Sequence, residues 1–197
     1  CRLGYQYVSV KELVAGNILD SETGIHKSIF LSKIKELNPL LKPVEIDQLF
    51  AKIKLMLDND DLGREFYHLL SSVSGIKLID FTNPDHNDFF CTTELTCKNG
   101  EDEFRPDITL YVNGLPLAII EVKKPNDNDR QRALREVNDY LDHVPNVILT
   151  DSVTWEFYTK AGEEKDIKSI TLEEKEYCAK VCERGISNKT VNWKELE

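Results

Sequence analysis

Apolar residues recur at helical spacing through about the first seventy positions, and then the period changes. In "HKSIFLSKIKEL" the side chains of Ile29, Phe30, Ile34 and Leu37 fall along one helical face, and Pro39 and Pro43 close the segment. "VEIDQLFAKIKLML" repeats the pattern at Ile46, Leu49, Phe50, Ile53, Met56 and Leu57, and "DLGREFYHLLSSV" at Leu62, Phe66, Leu69, Leu70 and Val73. Ahead of these, Ser9-Val10-Lys11-Glu12 has the form of a capping box, Ser followed three positions later by Glu, so a short helix is expected there. From Gly75 onward the pattern reads as strands: "IKLIDF" and "DFFCTTELTC", with the turn "TNPDHN" between them. "KNGEDE" is a turn into "FRPDITLYV", and Asn113-Gly114 is a hairpin signal into "LPLAIIEV". "DNDRQRALREVNDYLDHV" reads as a helix capped at Asp127 or Asn128, "NVILT" and "VTWEFYT" as strands, and "LEEKEYCAKVCERG" as a last helix closed by Gly185.

That order predicts an α/β (α+β) chain: a mixed central sheet flanked by helices, behind a helical N-terminal part. With 197 residues the chain suffices for a single domain. Its expected parts are a mainly helical stretch over 1–74, a sheet core over 75–160, and a helix and linker over 171–197.

The hairpin carries the candidate chemistry. Glu121 and Lys123 are two apart on one strand and share a face, while Asp107 lies on the partner strand. A two-residue loop at Asn113-Gly114 would set Asp107 on the face opposite Glu121. An odd-numbered loop, or a bulge, would put all three together. Two converging carboxylates repel, and burial makes this worse. A divalent cation relieves both problems. Mg²⁺ takes oxygens from one or two carboxylates, waters and a substrate phosphate, and the carbonyl of Val122 offers a further ligand. Lys123 would then orient or deprotonate an attacking water, or offset charge on the phosphorus. The plain alternative is that Pro106-Asp107 ends a turn and that Glu121 and Lys123 mark a strand reaching solvent. The apolar run "LPLAII" weighs toward a site, because its charges come only at the C-terminal end, where ligands of sheets bind.

Composition narrows the setting. The net charge of −10 argues against gripping nucleic acid by a global field, so any DNA contact would be local or supplied by a partner. Lys124, Arg130, Arg132 and Arg135 could form a local basic edge, although such runs are more often a solvated helix face. The five cysteines are poorly spaced for zinc and read as reduced thiols. "PDHND", with Asp85, His86 and Asp88, reads as a turn before it reads as a metal site. There is no run of eighteen apolar residues and no order of segments typical of a signal peptide. The chain begins at Cys1 and reads as a piece of something longer.

Pro106-Asp107, followed by Glu121-Val122-Lys123 on a hairpin, resembles the PD-(D/E)xK nuclease signature. With "LGYQYV", "IKLIDFTNPDHNDF", "FRPDITLYVNGLPLAIIEVKKP" and "YLDHVPNV", the chain is similar to the N-terminal endonuclease domain of the R (HsdR, motor) subunit of type I restriction enzymes, over roughly residues 3 to 160. The resemblance implies a nuclease-like fold and Mg²⁺-dependent cleavage of duplex DNA, with Mn²⁺ as a substitute. It also implies an ATP-dependent translocase in the same polypeptide, assembly with modification and specificity subunits, and a prokaryotic cytoplasm. Asp107, Glu121 and Lys123 take the catalytic positions, with Asp107, Glu121 and the Val122 carbonyl on the metal. Three departures stand out. The family's Gln-x-x-x-Tyr motif falls on Glu136 and Tyr140, an acid in place of the amide, and Gln131 is misplaced for it. The acid that such nucleases carry on an N-terminal helix is expected on a helix ahead of Cys1, with Glu65 as the fallback, which reads more simply as a solvated helix residue. No G-x-x-x-x-G-K-[ST] loop is present, so ATP would be used outside these residues. Two other readings compete: a non-catalytic docking or DNA-holding module on the same fold, and a nuclease fused to a methyltransferase.

Overall fold

The computed structural model describes residues 4–15, 19–20, 22–57, 64–72, 75–99, 102–124, 130–144, 146–161 and 164–171. Their elements are β1 (Gln6–Tyr7), α1 (Val10–Ala15), α2 (Lys27–Leu37), α3 (Pro43–Leu57), α4 (Arg64–Ser71), β2 (Phe89–Thr93), β3 (Cys97–Asn99), β4 (Asp102–Phe104), β5 (Ile108–Val112), β6 (Leu115–Val122), α5 (Arg130–Leu141), β7 (Asn146–Thr150), β8 (Thr154–Ala161) and β9 (Glu164–Thr171). Seven strands form one mixed sheet in the order β1-β2-β5-β6-β7-β8-β9, and β3 and β4 form a separate hairpin. The fold class read from the sequence is therefore the one found. The chain divides into two compact units, residues 1–118 and 119–197.

In the first unit, α2 and α3 bury the side chains that their periodicity marks: Phe30, Ile34, Ile46, Leu49, Phe50 and Ile53, with Leu78 and Leu115. The capping box is real. Ser9 donates its backbone N–H and its hydroxyl to Glu12 Oε2 at 2.8 and 2.6 Å, and the Glu12 N–H returns to Ser9 Oγ at 3.3 Å. Pro39 follows the end of α2, whereas Pro43 opens α3, where a missing N–H costs nothing. The strand β2 runs parallel to β1 and antiparallel to β5, and Phe90 stacks on Tyr111 with centroids 4.5 Å apart.

Two expectations in this unit need correcting. "IKLIDF" forms no strand. Its backbone groups go to side chains instead: Asn38 bonds both the N–H and the carbonyl of Lys77, and the Asp80 N–H goes to Asn87 Oδ1. Asp80 in turn accepts from Thr82, Asn83 and His86. "DFFCTTELTC" breaks at Glu94, whose φ is 51°, and "KNGEDE", expected as a turn, supplies most of the β3 and β4 hairpin.

In the second unit, β7 runs parallel to the end of β6, with α5 as the crossover, and β8 and β9 follow antiparallel. Ala133, Val137 and Leu141 of α5 pack on Ile119, Val147, Leu149 and Tyr158. The strand β9 was not anticipated. Its sequence, "EKDIKSIT", is too charged to declare itself, and as the terminal strand of the sheet it needs apolar contact only in part. The cap at Asp127 or Asn128 and the helix after residue 171 lie outside the described residues.

Candidate functional site

Strand pairing sets the face on which Glu121 lies. Glu121 pairs with Leu149, and Leu149 with Glu156, so all three project to the face covered by α5. An acid at the end of "LPLAIIEV" is thereby carried under a helix, and the Glu121 side chain is only 9% exposed. Lys123 follows two residues later, just beyond the strand, and its backbone N–H bonds the Thr150 carbonyl at 2.8 Å. Its ammonium therefore returns over the same face. There it donates to Glu121 Oε1 at 2.7 Å and, in a short contact, to Glu136 Oε2 from α5. Glu136 Oε1 accepts from Arg132 Nε at 3.1 Å, one helical turn back. The second Glu121 oxygen, Oε2, is buried with no hydrogen-bond partner among the described residues.

The electrostatics follow from these contacts. Burial disfavours the Lys123 ammonium, but its bonds to Glu121 and Glu136 outweigh this and hold its pKa above the ordinary lysine value. Burial also works against ionised Glu136, and Lys123 and Arg132 overcome it, so its pKa lies below the usual carboxylate value.

Asp107 belongs to the first unit. It is half-buried directly before β5, behind a buried Pro106, and its carbonyl accepts the Glu94 N–H at 3.0 Å. The loop between β5 and β6 has two residues, Asn113 and Gly114, with φ of 52° and 84°, the signs that a type I′ turn requires. The odd-numbered loop that the sequence offered as one arrangement is thus not used. Glu65 is exposed in the first turn of α4, a helix packed on α3. Val122 and Lys124 are exposed. Tyr140 is half-buried against the α5 core, one turn beyond Glu136.

The sequence matches the family described as "Type I restriction enzyme R protein N terminus" over residues 1–166. The chain belongs to this family. It is 32% identical over 160 residues to a candidate type I restriction enzyme endonuclease subunit, MjaIXP, of Methanocaldococcus jannaschii, covering 70% of this chain and 15% of that protein. To the HindI type I restriction enzyme endonuclease subunit of Haemophilus influenzae it is 25% identical over 170 residues, covering 75% and 16%. The chain thus spans about 15% of the length of these relatives. Among solved structures, a candidate nuclease of the DUF820 group from Anabaena variabilis matches at 20% identity and a TM-score of 0.30, over 40% of this chain and 54% of that one, a likeness too loose to argue from.

Two features of this R-protein N terminus were not foreseen. Glu156 is buried on the same face as Glu121, with Arg130 Nη2 at 2.7 Å on Oε1 and the Tyr158 hydroxyl donating to Oε2 at 3.1 Å. The signal was available: in "TWEFYT" the period of two puts Glu156 in step with Tyr158, so an acid had to enter the core. The expected basic edge is also partly spent inside the unit, with Arg130 on Glu156 and Arg132 on Glu136. His86, as the turn chemistry suggested, serves its own loop, with Nδ1 3.1 Å from Asp80 Oδ2. No helix among the described residues is long and apolar enough to cross a membrane.

Proposed function

We propose that this chain is a Mg²⁺-dependent endonuclease domain of a type I restriction enzyme R subunit. It hydrolyses phosphodiester bonds of duplex DNA, within a complex that includes modification and specificity subunits and a translocase that uses ATP. The observation that carries this reading is the Glu121 carboxylate. A buried acid with one oxygen held by a lysine two residues on and the other lacking a donor among the described residues is costly unless something positive completes it. A divalent cation fits that oxygen. No group of three or more His, Cys, Asp or Glu among the described residues is set to hold a metal. What Glu121 offers is the sparse kind of site Mg²⁺ uses, one or two carboxylates completed by water and substrate phosphate. Glu121 and Asp107 would hold it, with the Val122 carbonyl as a further oxygen and Mn²⁺ as a substitute.

When bound, Mg²⁺ supplies positive charge to a phosphate oxygen and acidifies a bound water. The side chains do the rest. Glu121 fixes the position of the cation on a rigid strand end. Lys123 already donates to carboxylate oxygens, and the same ammonium offsets the charge that grows on the phosphorus-bound oxygens as water adds and the leaving oxygen departs.

In the full enzyme, Asp107→Ala, Glu121→Ala and Lys123→Ala should each abolish cleavage, with effects far from additive because they disable one unit. Losing either acid should also weaken Mg²⁺ or Mn²⁺ binding, and ATP hydrolysis should survive all three. Undiminished double-strand cleavage by Lys123→Ala would overturn the assignment in favour of a docking module.

A further inference from the structure

We propose that Glu136 is a positioning residue for Lys123, anchoring the ammonium beside Glu121 while a divalent cation occupies the Glu121 carboxylate. This rests on the reading of Glu121 as a cation ligand. In the structure the ammonium bridges two acids on different elements, Glu121 on β6 and Glu136 on α5. Glu121 by itself would be a poor anchor once a cation arrived. The newcomer would draw on the same carboxylate and repel the ammonium, and a lysine with a flexible four-carbon stem would swing into water. Lys123 is 21% exposed, so that way out is open. Glu136 closes it with a full negative charge that the cation does not share.

Arg132 is the second observation. By holding Glu136 Oε1, it keeps that carboxylate turned toward Lys123 and away from a role as a further cation ligand. The four groups Glu121, Lys123, Glu136 and Arg132 alternate in sign, so the acid at 136 has a counter-charge on each side. An amide at this position would offer Lys123 an acceptor oxygen without the negative charge, so the Coulombic attraction across the contact would be lost. The acid standing where the family motif has glutamine is thus accounted for by what it holds inside the unit, without any contact to DNA.

The test is lysine reactivity in the full-length protein at fixed pH. Lys123 is reductively methylated with formaldehyde and read by peptide mass spectrometry, with and without saturating Mg²⁺. Mg²⁺ uptake is measured by calorimetry on the same samples, and folding by circular dichroism. In the parent protein Lys123 should stay protected in both conditions. In Glu136→Gln it should stay protected without Mg²⁺, held by Glu121, and become more reactive with Mg²⁺ by on the order of tenfold, the population effect of losing one charge-assisted contact. Glu136→Asp, which keeps the charge on a shorter stem, should restore part of the protection. If Glu136→Gln binds Mg²⁺ and Lys123 remains as protected as in the parent, Glu136 has no positioning role. An equal rise without Mg²⁺ would likewise overturn the proposal, because the loss would then be a general loosening. If the parent protein takes up no Mg²⁺, the cation reading of Glu121 fails first, and this inference falls with it.

Discussion

Replacing Lys123 by methionine, a straight apolar chain of similar length, should destabilise the second unit in a way that depends on metal. The Glu121 side chain is 9% exposed, and its Oε2 lacks a donor among the described residues. Removing the ammonium takes from Oε1 the donor that Lys123 supplies and leaves a buried carboxylate without that counter-charge. Breaking a buried ion pair from one side costs roughly 3–5 kcal/mol. Lys123 is partly solvated, and Glu136 keeps Arg132, so about 2–3 kcal/mol is the fitting share here. The assay is urea unfolding followed by the fluorescence of Trp155 on β8, in EDTA at neutral pH. Added Mg²⁺ should stabilise the variant more than the parent protein, because the cation no longer meets a resident positive charge. A variant as stable as the parent in EDTA, or one that Mg²⁺ stabilises no more than the parent, would refute the account of Glu121 as a buried carboxylate held by Lys123.

Other outcomes follow from the first unit. Gly114→Ala should cost about 3 kcal/mol or more, measured by denaturation: φ is 84°, a conformation that penalises any Cβ, and the added carbon would lie 2.7 Å from the His26 carbonyl oxygen and 2.8 Å from the Phe30 nitrogen, both backbone. Asp80 has its pKa driven well below the ordinary value by hydrogen bonds from the Thr82 hydroxyl, then His86 and the Asn83 N–H. Its stabilisation is therefore present above the ordinary aspartate range and lost as pH falls, so an Asp80→Asn variant should show a flatter acid limb in its urea midpoint than the parent.

Where local signals and tertiary packing agree, the sequence was legible. The Ser9–Glu12 box, the apolar faces of α2 and α3, and the bounds of β6 were all visible, because capping, period and turn chemistry are encoded within a few residues of each other. The 76–81 segment was misread because its apolar letters imitate a strand, while its hydrogen bonds go to Asn38 and Asn87, residues that no local window connects to it. The pairing of Glu121 with Lys123 was expected from their spacing on one strand. That Glu136 shares the same ammonium was not, since it depends on how α5 lies over β6 and β7 in the second unit. The acid at 136 looked like damage to a motif, whereas its surroundings supply both a reason for the charge and partners for it.

The Asn113-Gly114 turn also bears on how the protein folds. It reads as a solvent-facing hairpin tip, yet both residues are buried. The Gly114 carbonyl accepts the His26 N–H just before α2, and the Asn113 side chain bonds the Leu78 carbonyl and Asn87. The first turn of α2 thus closes onto a hairpin made by a part of the chain far along the sequence. The helices can form early, since their contacts are local. Docking α2 must wait until β5 and β6 have paired, because before then the surface it closes on does not exist. A substitution in this turn should therefore slow folding as well as weaken the native state. The same turn would be a poor place to insert a tag or a cleavage site, although a hairpin tip is where one would normally put it.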